Sequence, residues 1–395
     1  MADDIVLAGA ARTAVGTLGG VFAEVHPARL GAIAAAESLR RASVEPARVD
    51  DLLFGNVIQG GQGMNVARQV AIAAGMPVEA TATTINQACA SGLRAIAIAA
   101  QQITLGDSRI VVAGGTESMS TAPYVLRKAR FGYRMGNGEL VDSLISDGLT
   151  CAIEQYHMGM TAENVAAEMG ITREEQDQFA AESQTKAAAA MESGRFKDEI
   201  VPVEIPQAKG AAPLVDKDEH PRPGATVEKL AKLKPAFKAD GTVTAGNASG
   251  INDGAAAVVV MSAATARELG VQPQARIAGY AWAGVAPRVM GLGPVPAVRK
   301  VLEKTGLKLS DIDLIELNEA FAAQSLGVIK QLDLDRSRLN VNGGAIALGH
   351  PVGASGARIL VTLIYEMARR GGKYGLATLC VGGGQGIAII VENLM

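Results

Sequence analysis

The chain has 395 residues, of which 48% are hydrophobic and 19% charged, with 46 glycines and a net charge of -3. That composition excludes a disordered or fibrous chain, and the near-neutral charge gives no general attraction for nucleic acid or an anionic membrane. At this length one ordinary domain is exceeded, so two similar units, or two plus an insertion, are expected.

Strand and helix patterns alternate from the start. "DIVLAGAART" (4–13) predicts a strand, "ARLGAIAAAESLRRA" (28–42) a helix and "DDLLFGNVIQG" (50–60) a strand. "MNVARQVAIAAG" (64–75) predicts a helix and "TATTINQA" (81–88) a strand. In "SGLRAIAIAAQQITLG" (91–106), Leu93, Ile96, Ala100 and Ile103 share one helical face and Gly106 is the stop. "RIVVAGG" (109–115) closes the series as a strand. Such alternation implies a layered α/β fold. Residues 121–249 break the rhythm with charge and proline, and read as an insertion. It holds one clear helix, opened by a capping box of Thr172 and Glu175. The apolar run "GAAAVVVMSAA" (254–264) is too short to span a bilayer.

The last third repeats the first. "ARIAGYAWAG" (275–284) predicts a strand, "VPAVRKVLEKTG" (295–306) a helix and "DIDLIELNEAF" (311–321) a strand. "GASGARILVTLIYEMARRGG" (353–372) predicts a helix, and "YGLATLCVGGGQGIAIIVE" (374–392) two strands about a glycine turn. By eye, "CASG" (89–92) matches "GASG" (353–356), Asn56 falls over Asn318, and "VVAGG" (111–115) falls near "LCVGG" (379–383). An internal duplication explains the order.

Three cysteines, Cys89, Cys151 and Cys380, are too few for a disulfide framework and fit a reducing compartment. The start "MADDIVLAGA" lacks the features of a signal peptide, so a cytoplasmic location is expected. Cys89 precedes a helix start, where unpaired N–H groups should lower a thiol pKa below about 8.5. The plain alternative is a small buried hydrophobe. His350, between glycine and proline in "LGHPVG", could pair with Cys89 if the duplicated halves pack face to face, and a Cys–His pair activates a thiol nucleophile. Cys380 ends a strand before a glycine run whose N–H groups could meet an anion. Asn318 could hold a water, or form an ordinary turn. No metal-ligand spacing occurs.

These stretches, with "RTAVGTLGG" (12–20), "GGTESMS" (114–120), "YHMGMTAEN" (156–164), "GTVTAGNASGINDGAAA" (241–257) and "MGLGPVPA" (290–297), together resemble the thiolases, and among them the biosynthetic acetyl-CoA acetyltransferases. The resemblance covers essentially the whole chain. It implies two duplicated βαβαβαββ halves forming a layered α/β/α/β/α core with an inserted loop domain. Residues 1–120 and 250–272 would form the first half, 121–249 the insertion and 273–395 the second half. It implies Cys89 as the acyl-accepting nucleophile, His350 as its activator and Cys380 as a second acid/base. Asn318 would hold a water for one oxyanion hole, and the N–H groups of Cys89 and Gly382 would form another. His157, Met158 and Ser249 would line the pantetheine tunnel, Phe237 and Arg222 would lie towards the nucleotide end of coenzyme A, and Met290 would also belong to the substrate and coenzyme A site. The substrates would be acetyl-CoA and acetoacetyl-CoA, with no metal or other cofactor. A homotetramer is expected to use the basic and aromatic stretch around Arg127, Lys128, Arg130, Phe131, Tyr133 and Arg134. Two positions depart from the family pattern. Ser325 replaces a cysteine after "NEAFAAQ", and Lys229 stands where a small hydroxyl residue is expected. The alternatives are a degradative 3-ketoacyl-CoA thiolase for longer chains, with the same reacting residues, and a binder that has lost catalysis.

Overall fold

The computed structural model describes residues 3–205 and 212–395. Its first-half strands are β1 (Ile5–Thr13), β2 (Asp51–Gly55), β3 (Thr81–Ile85), β4 (Ile110–Ser118) and β5 (Asn252–Ser262). Helices α1 (Pro27–Ala42), α2 (Val66–Ala73) and α3 (Ser91–Leu105) separate the first four. The insertion carries α4 (Met158–Met169) and α5 (Arg173–Glu192). The second half comprises β6 (Ala275–Gly284), α6 (Pro294–Thr305), β7 (Leu314–Leu317), α7 (Ala322–Leu332), α8 (Ser355–Arg370), β8 (Tyr374–Val381) and β9 (Gln385–Asn393). The strands order as β7-β8-β9-β6-β1-β5-β4-β2-β3. The halves join where β1 pairs with β6 through Val6 and Leu7.

Three apolar clusters define the layers. One lies between α1, α2 and the first-half strands, through Leu30, Leu39, Phe54, Val70 and Val112. A second lies outside the second-half strands and includes Val298, Ile315, Leu317, Leu376 and Cys380. The third lies between the two sets of strands and contains the buried faces of α3 (Leu93, Ile96, Ala100) and α8 (Ile359, Leu360, Leu363). The order is therefore helix, sheet, paired helices, sheet, helix. The run 254–261 is the interior of β5, held between β1 and β4 and buried throughout, which is why it shows no polar alternation. Among the described residues no helix is long and apolar enough to cross a membrane.

Where α3 and α8 cross, glycine is required. A Cβ on Gly92 would lie 2.9 Å from the Ala357 nitrogen, and one on Gly356 would lie 2.5 Å from the Leu93 nitrogen. These are the aligned glycines of "CASG" and "GASG", so that part of the repeat is structural. The strand alignments need correction. Leu53 faces the central layer while Leu52 and Phe54 face outward. In β7, Leu314 faces the central layer and Ile315 and Leu317 face outward. Placing Asn56 over Asn318 would superpose opposite faces. Shifting by one residue restores the match, because side chains alternate along a strand. Gly55 then stands over Asn318, and Gly115, Gly55's ladder partner, over Leu379 rather than Gly383.

The second half also lacks a counterpart to β3. Its third strand is reduced to one bridge between Ile315 and Leu339. The Asn340 side chain takes over the ladder there, accepting from the Leu317 N–H (2.9 Å) and donating to the Leu317 carbonyl (2.8 Å).

The capping box of Thr172 and Glu175 is present at the start of α5. The insertion holds more helix than one, however: α4 and the turn Val227–Leu230 are also formed. Arg12 ties the insertion to the core. Fully buried, it bonds Glu199 (2.7 Å) and both oxygens of Asp218 (2.7 and 2.8 Å).

Candidate active site

Cys89 stands between the end of β3 and the start of α3. Ala88 before it has φ +45°, a left-handed conformation that is uncommon outside glycine and turns the chain sharply at the cysteine. Ser91 secures the turn, donating to the Ala88 carbonyl (2.7 Å) and accepting from the Gln87 N–H (2.9 Å).

The thiol itself corrects the expectation of a low pKa. Burial pushes Cys89 up to about 11, while the N–H groups of Gly382 and of Cys89 pull the other way and the Glu117 charge adds to the rise. Cys89 retains some accessible surface, but that surface is cavity wall, so the sulfur is poorly solvated all the same. At neutral pH it carries its proton and needs a base.

His350 supplies one, lining the same cavity. It follows Gly349, whose φ of +98° and whose absent Cβ bring the backbone within reach of Asn252. The His350 N–H donates to Asn252 Oδ1 (2.8 Å). Ser355, in the first turn of α8, donates its hydroxyl to the Pro351 carbonyl (2.8 Å) and lies 2.6 Å from His350 Nδ1. With its one proton committed, Ser355 Oγ accepts, so Nδ1 carries the ring proton and Nε2 presents a lone pair. Asn318 Nδ2 lies 3.4 Å from that Nε2. Burial, and secondarily the charge of Arg358, push His350 down to about 3, so the ring is neutral. Ser355 is the residue the sequence reading missed here, although "GASG" contained it.

Cys89 and His350 open on a cavity of about 480 Å³, large enough for an extended small-molecule arm. His157, Met158, Arg222, Phe237, Ser249 and Met290 all line it. Phe237 stacks on His157 at 4.6 Å and meets Phe321 edge-on at 6.2 Å. Gly159 leaves room for that stack, since a Cβ there would lie 2.2 Å from the Phe237 ring. Lys229 donates to the Gly224 carbonyl (2.7 Å).

Asn318, Cys380 and Gly382 are not on the lining. Cys380 is fully buried, and strand alternation aims it outward into the cluster that holds Met290, Phe321, Met158 and Phe237. Burial raises its thiol pKa well above the ordinary value, with a further rise from the Cys89 charge. Gly382 borders the site from behind: a Cβ on it would lie 3.6 Å from Ala88 Cβ and 3.7 Å from Met158 Sδ.

The cavity adds residues that motif reading passed over, including Met119, Leu149, Phe321 and His220. His220 was legible as one of only four histidines, two positions before Arg222. Burial, then the Arg222 charge, lower it to about 4 from its ordinary 6.5. The unfolded chain takes up this proton below pH 6.5, whereas the folded chain does so only near 4. The stability linked to His220 is therefore complete above pH 6.5 and lost as pH falls towards 4. At pH 5 the loss is about 2 kcal/mol. In His220→Asn, the unfolding free energies from urea titrations at pH 7 and pH 5 should differ by about 2 kcal/mol less than in the parent chain. An unchanged difference would show that His220 titrates normally.

The model of the thiolase N-terminal domain matches residues 5–264, and that of the C-terminal domain residues 271–393. The chain belongs to the thiolase family. It is 59% identical over 398 residues to an acetyl-CoA acetyltransferase from Syntrophomonas wolfei, with 100% of each chain covered. Among solved structures, the acetyl-CoA acetyltransferase of Bacillus anthracis superposes with a TM-score of 0.97 at 51% identity, covering 99% of each chain. Human mitochondrial 3-ketoacyl-CoA thiolase superposes with a TM-score of 0.96 at 46% identity, again over 99% of each chain. The thiolase fold therefore accounts for the five layers, and both named activities occur on it.

Proposed function

We propose that this thiolase is an acetyl-CoA C-acetyltransferase, joining two acetyl-CoA reversibly into acetoacetyl-CoA and coenzyme A through an acetyl-cysteine. The observation that carries the reading is the neutral pair lining one cavity: a protonated Cys89 thiol and a His350 ring whose Nε2 carries the lone pair that can take that proton.

In the first step Nε2 takes the Cys89 proton as the sulfur attacks the acetyl carbonyl. Gly382 and Cys89 N–H groups lie at the sulfur and can donate to the oxyanion. Coenzyme A leaves with the proton of Cys380. The site now holds acetyl-Cys89, an imidazolium at His350 and a thiolate at Cys380. A second acetyl-CoA loses its α-proton to Cys380, while Nε2–H, with Asn318 and the water it would hold, stabilises the enolate oxygen. The enolate carbon attacks acetyl-Cys89, and the released thiolate recovers its proton from His350. Both sulfhydryls end as they began. The chemistry needs no metal and no cofactor beyond the thioesters.

The names of the close relatives favour the short-chain reaction over the degradative one, and Met119, Leu149, Met158, Met290 and Phe321 crowd the cavity around Cys89 and His350. Thiolysis of acetoacetyl-CoA should exceed that of 3-ketooctanoyl-CoA about tenfold or more in kcat/KM, the scale on which a few methylenes are discriminated. Equal or reversed values would assign the degradative reaction instead.

The same reading places the enzyme in the cytoplasm as a homotetramer. The support for an assembly is an exposed strip in which Phe131 and Met135 are 91% and 96% accessible, set among Arg127, Lys128, Arg130 and Arg134.

A further inference from the structure

Glu117, the acidic residue of "GGTESMS", is fully buried at the far end of β4 and serves no step above. Burying a carboxylate is costly unless its oxygens are met. Here all four partners are neutral N–H groups. Oε1 accepts from Asn56 Nδ2 (3.1 Å) and the Ile58 N–H (3.2 Å); Oε2 accepts from the Val57 N–H (2.9 Å) and the Gly353 N–H (2.9 Å). Three of these donors belong to the first half and the fourth to the second.

The donors sit on the two walls of the site. Val57 and Ile58 form, with Met119, Leu144 and Val352, the apolar cluster against which Cys89 packs. Gly353 lies three residues after His350 and next to Val352, both on the cavity lining. The fit around Gly353 is close: a Cβ on Gly55 would lie 2.5 Å, and one on Gly115 2.1 Å, from the Gly353 carbonyl. Gly353 is also the repeat counterpart of Cys89, so Glu117 occupies at the start of α8 the N–H that at the start of α3 belongs to the nucleophile.

We propose that Glu117 is a positioning residue for the reaction: its carboxylate clamps the segment 56–58 behind Cys89 to the turn that carries His350, and so holds thiol and imidazole in register for proton transfer. This deepens the Cys89–His350 assignment and rests on it. A glutamine has the right shape, but whichever way it is turned its NH2 group faces two of the four N–H donors, so two of the hydrogen bonds become donor–donor contacts and the clamp is loosened.

The test is acetoacetyl-CoA thiolysis by Glu117→Gln, Glu117→Asp, Asn56→Ala and Cys89→Ala, measured well below each Tm. Glu117→Gln should lose tenfold or more in kcat with KM within twofold. Glu117→Asp, which keeps the charge but is one methylene short of spanning both walls, should lose about threefold and serves if the glutamine variant does not fold. Asn56→Ala, which removes one donor from the first half alone, should stay within threefold at a comparable loss of Tm. Wild-type kcat in either Glu117 variant overturns the inference, as does an Asn56→Ala loss equal to that of Glu117→Gln. Activity surviving in Cys89→Ala would instead overturn the assignment of the nucleophile.

Discussion

Cys89→Ser is expected to lose acetyl transfer by about 10^4-fold or more while keeping its fold, since removing a nucleophile from a unit of interacting groups typically costs that much. The hydroxyl occupies less space than the thiol and binds its proton far more tightly, so the imidazole placed for a thiol draws it off far less readily. Ala88 and Ser91 hold the turn through backbone and hydroxyl contacts that the substitution leaves in place. The measurement is acetyl-enzyme formation from radiolabelled acetyl-CoA after rapid mixing, alongside circular dichroism. One label per chain should appear in the parent and none in the variant. Label retained by the serine variant at the parent rate would move the nucleophile elsewhere.

His350→Asn should be nearly as severe, lowering acylation by about 10^2–10^4-fold, the range for loss of a positioned general base. The asparagine keeps a polar side chain near Ser355 and Asn318 but has no lone pair where Nε2 stood. The wild-type pH dependence gives an independent check on the sign. Burial favours the neutral ring, and His350 is held near 3. It stays a competent base as pH falls through 6.5, where a solvated histidine would be protonated and inactive. Acylation by the parent chain should therefore show no His350 inflection between pH 5 and pH 8. An acid limb with its midpoint near 6.5 would mean that the ring is solvated. In the variant the thiol must ionise unaided from about 11, so its residual acylation should climb with pH across the alkaline range.

Much of this enzyme could be read in one dimension, and particular residues show where that stopped. The helix over 91–105 and the strands over 275–284 and 374–392 follow from periodicity and glycine stops, and they are formed. Helices α4 and α7 were not anticipated: the buried face of α4 holds small and polar residues such as Gly159, Thr161 and Glu163, and α7 is buried at every position from Ala322 to Ile329, so neither shows a clean apolar stripe. The repeat was correct at Gly92 and Gly356, wrong by one residue at β7 and by four at β8. Sequence similarity does not register which face a side chain takes, whereas packing does. The N–H groups that lower the Cys89 thiol pKa are its own and that of Gly382, and the larger desolvation outweighs them.

The order of residues along the chain determined the alternating elements, the duplication, the family and the identity of the sulfur and imidazole groups, since these depend on local spacing and on motifs. Folding decided the rest: that Cys89 keeps its proton, that Ser355 sets the tautomer of His350, that Cys380 lies enclosed behind the cavity, and that Glu117 bridges two walls. Each of these depends on solvent exclusion and hydrogen-bond partners brought together from the two halves, Glu117 and Gly353 lying 236 positions apart. Neither solvent exclusion nor partnership of that kind is written in the neighbouring residues.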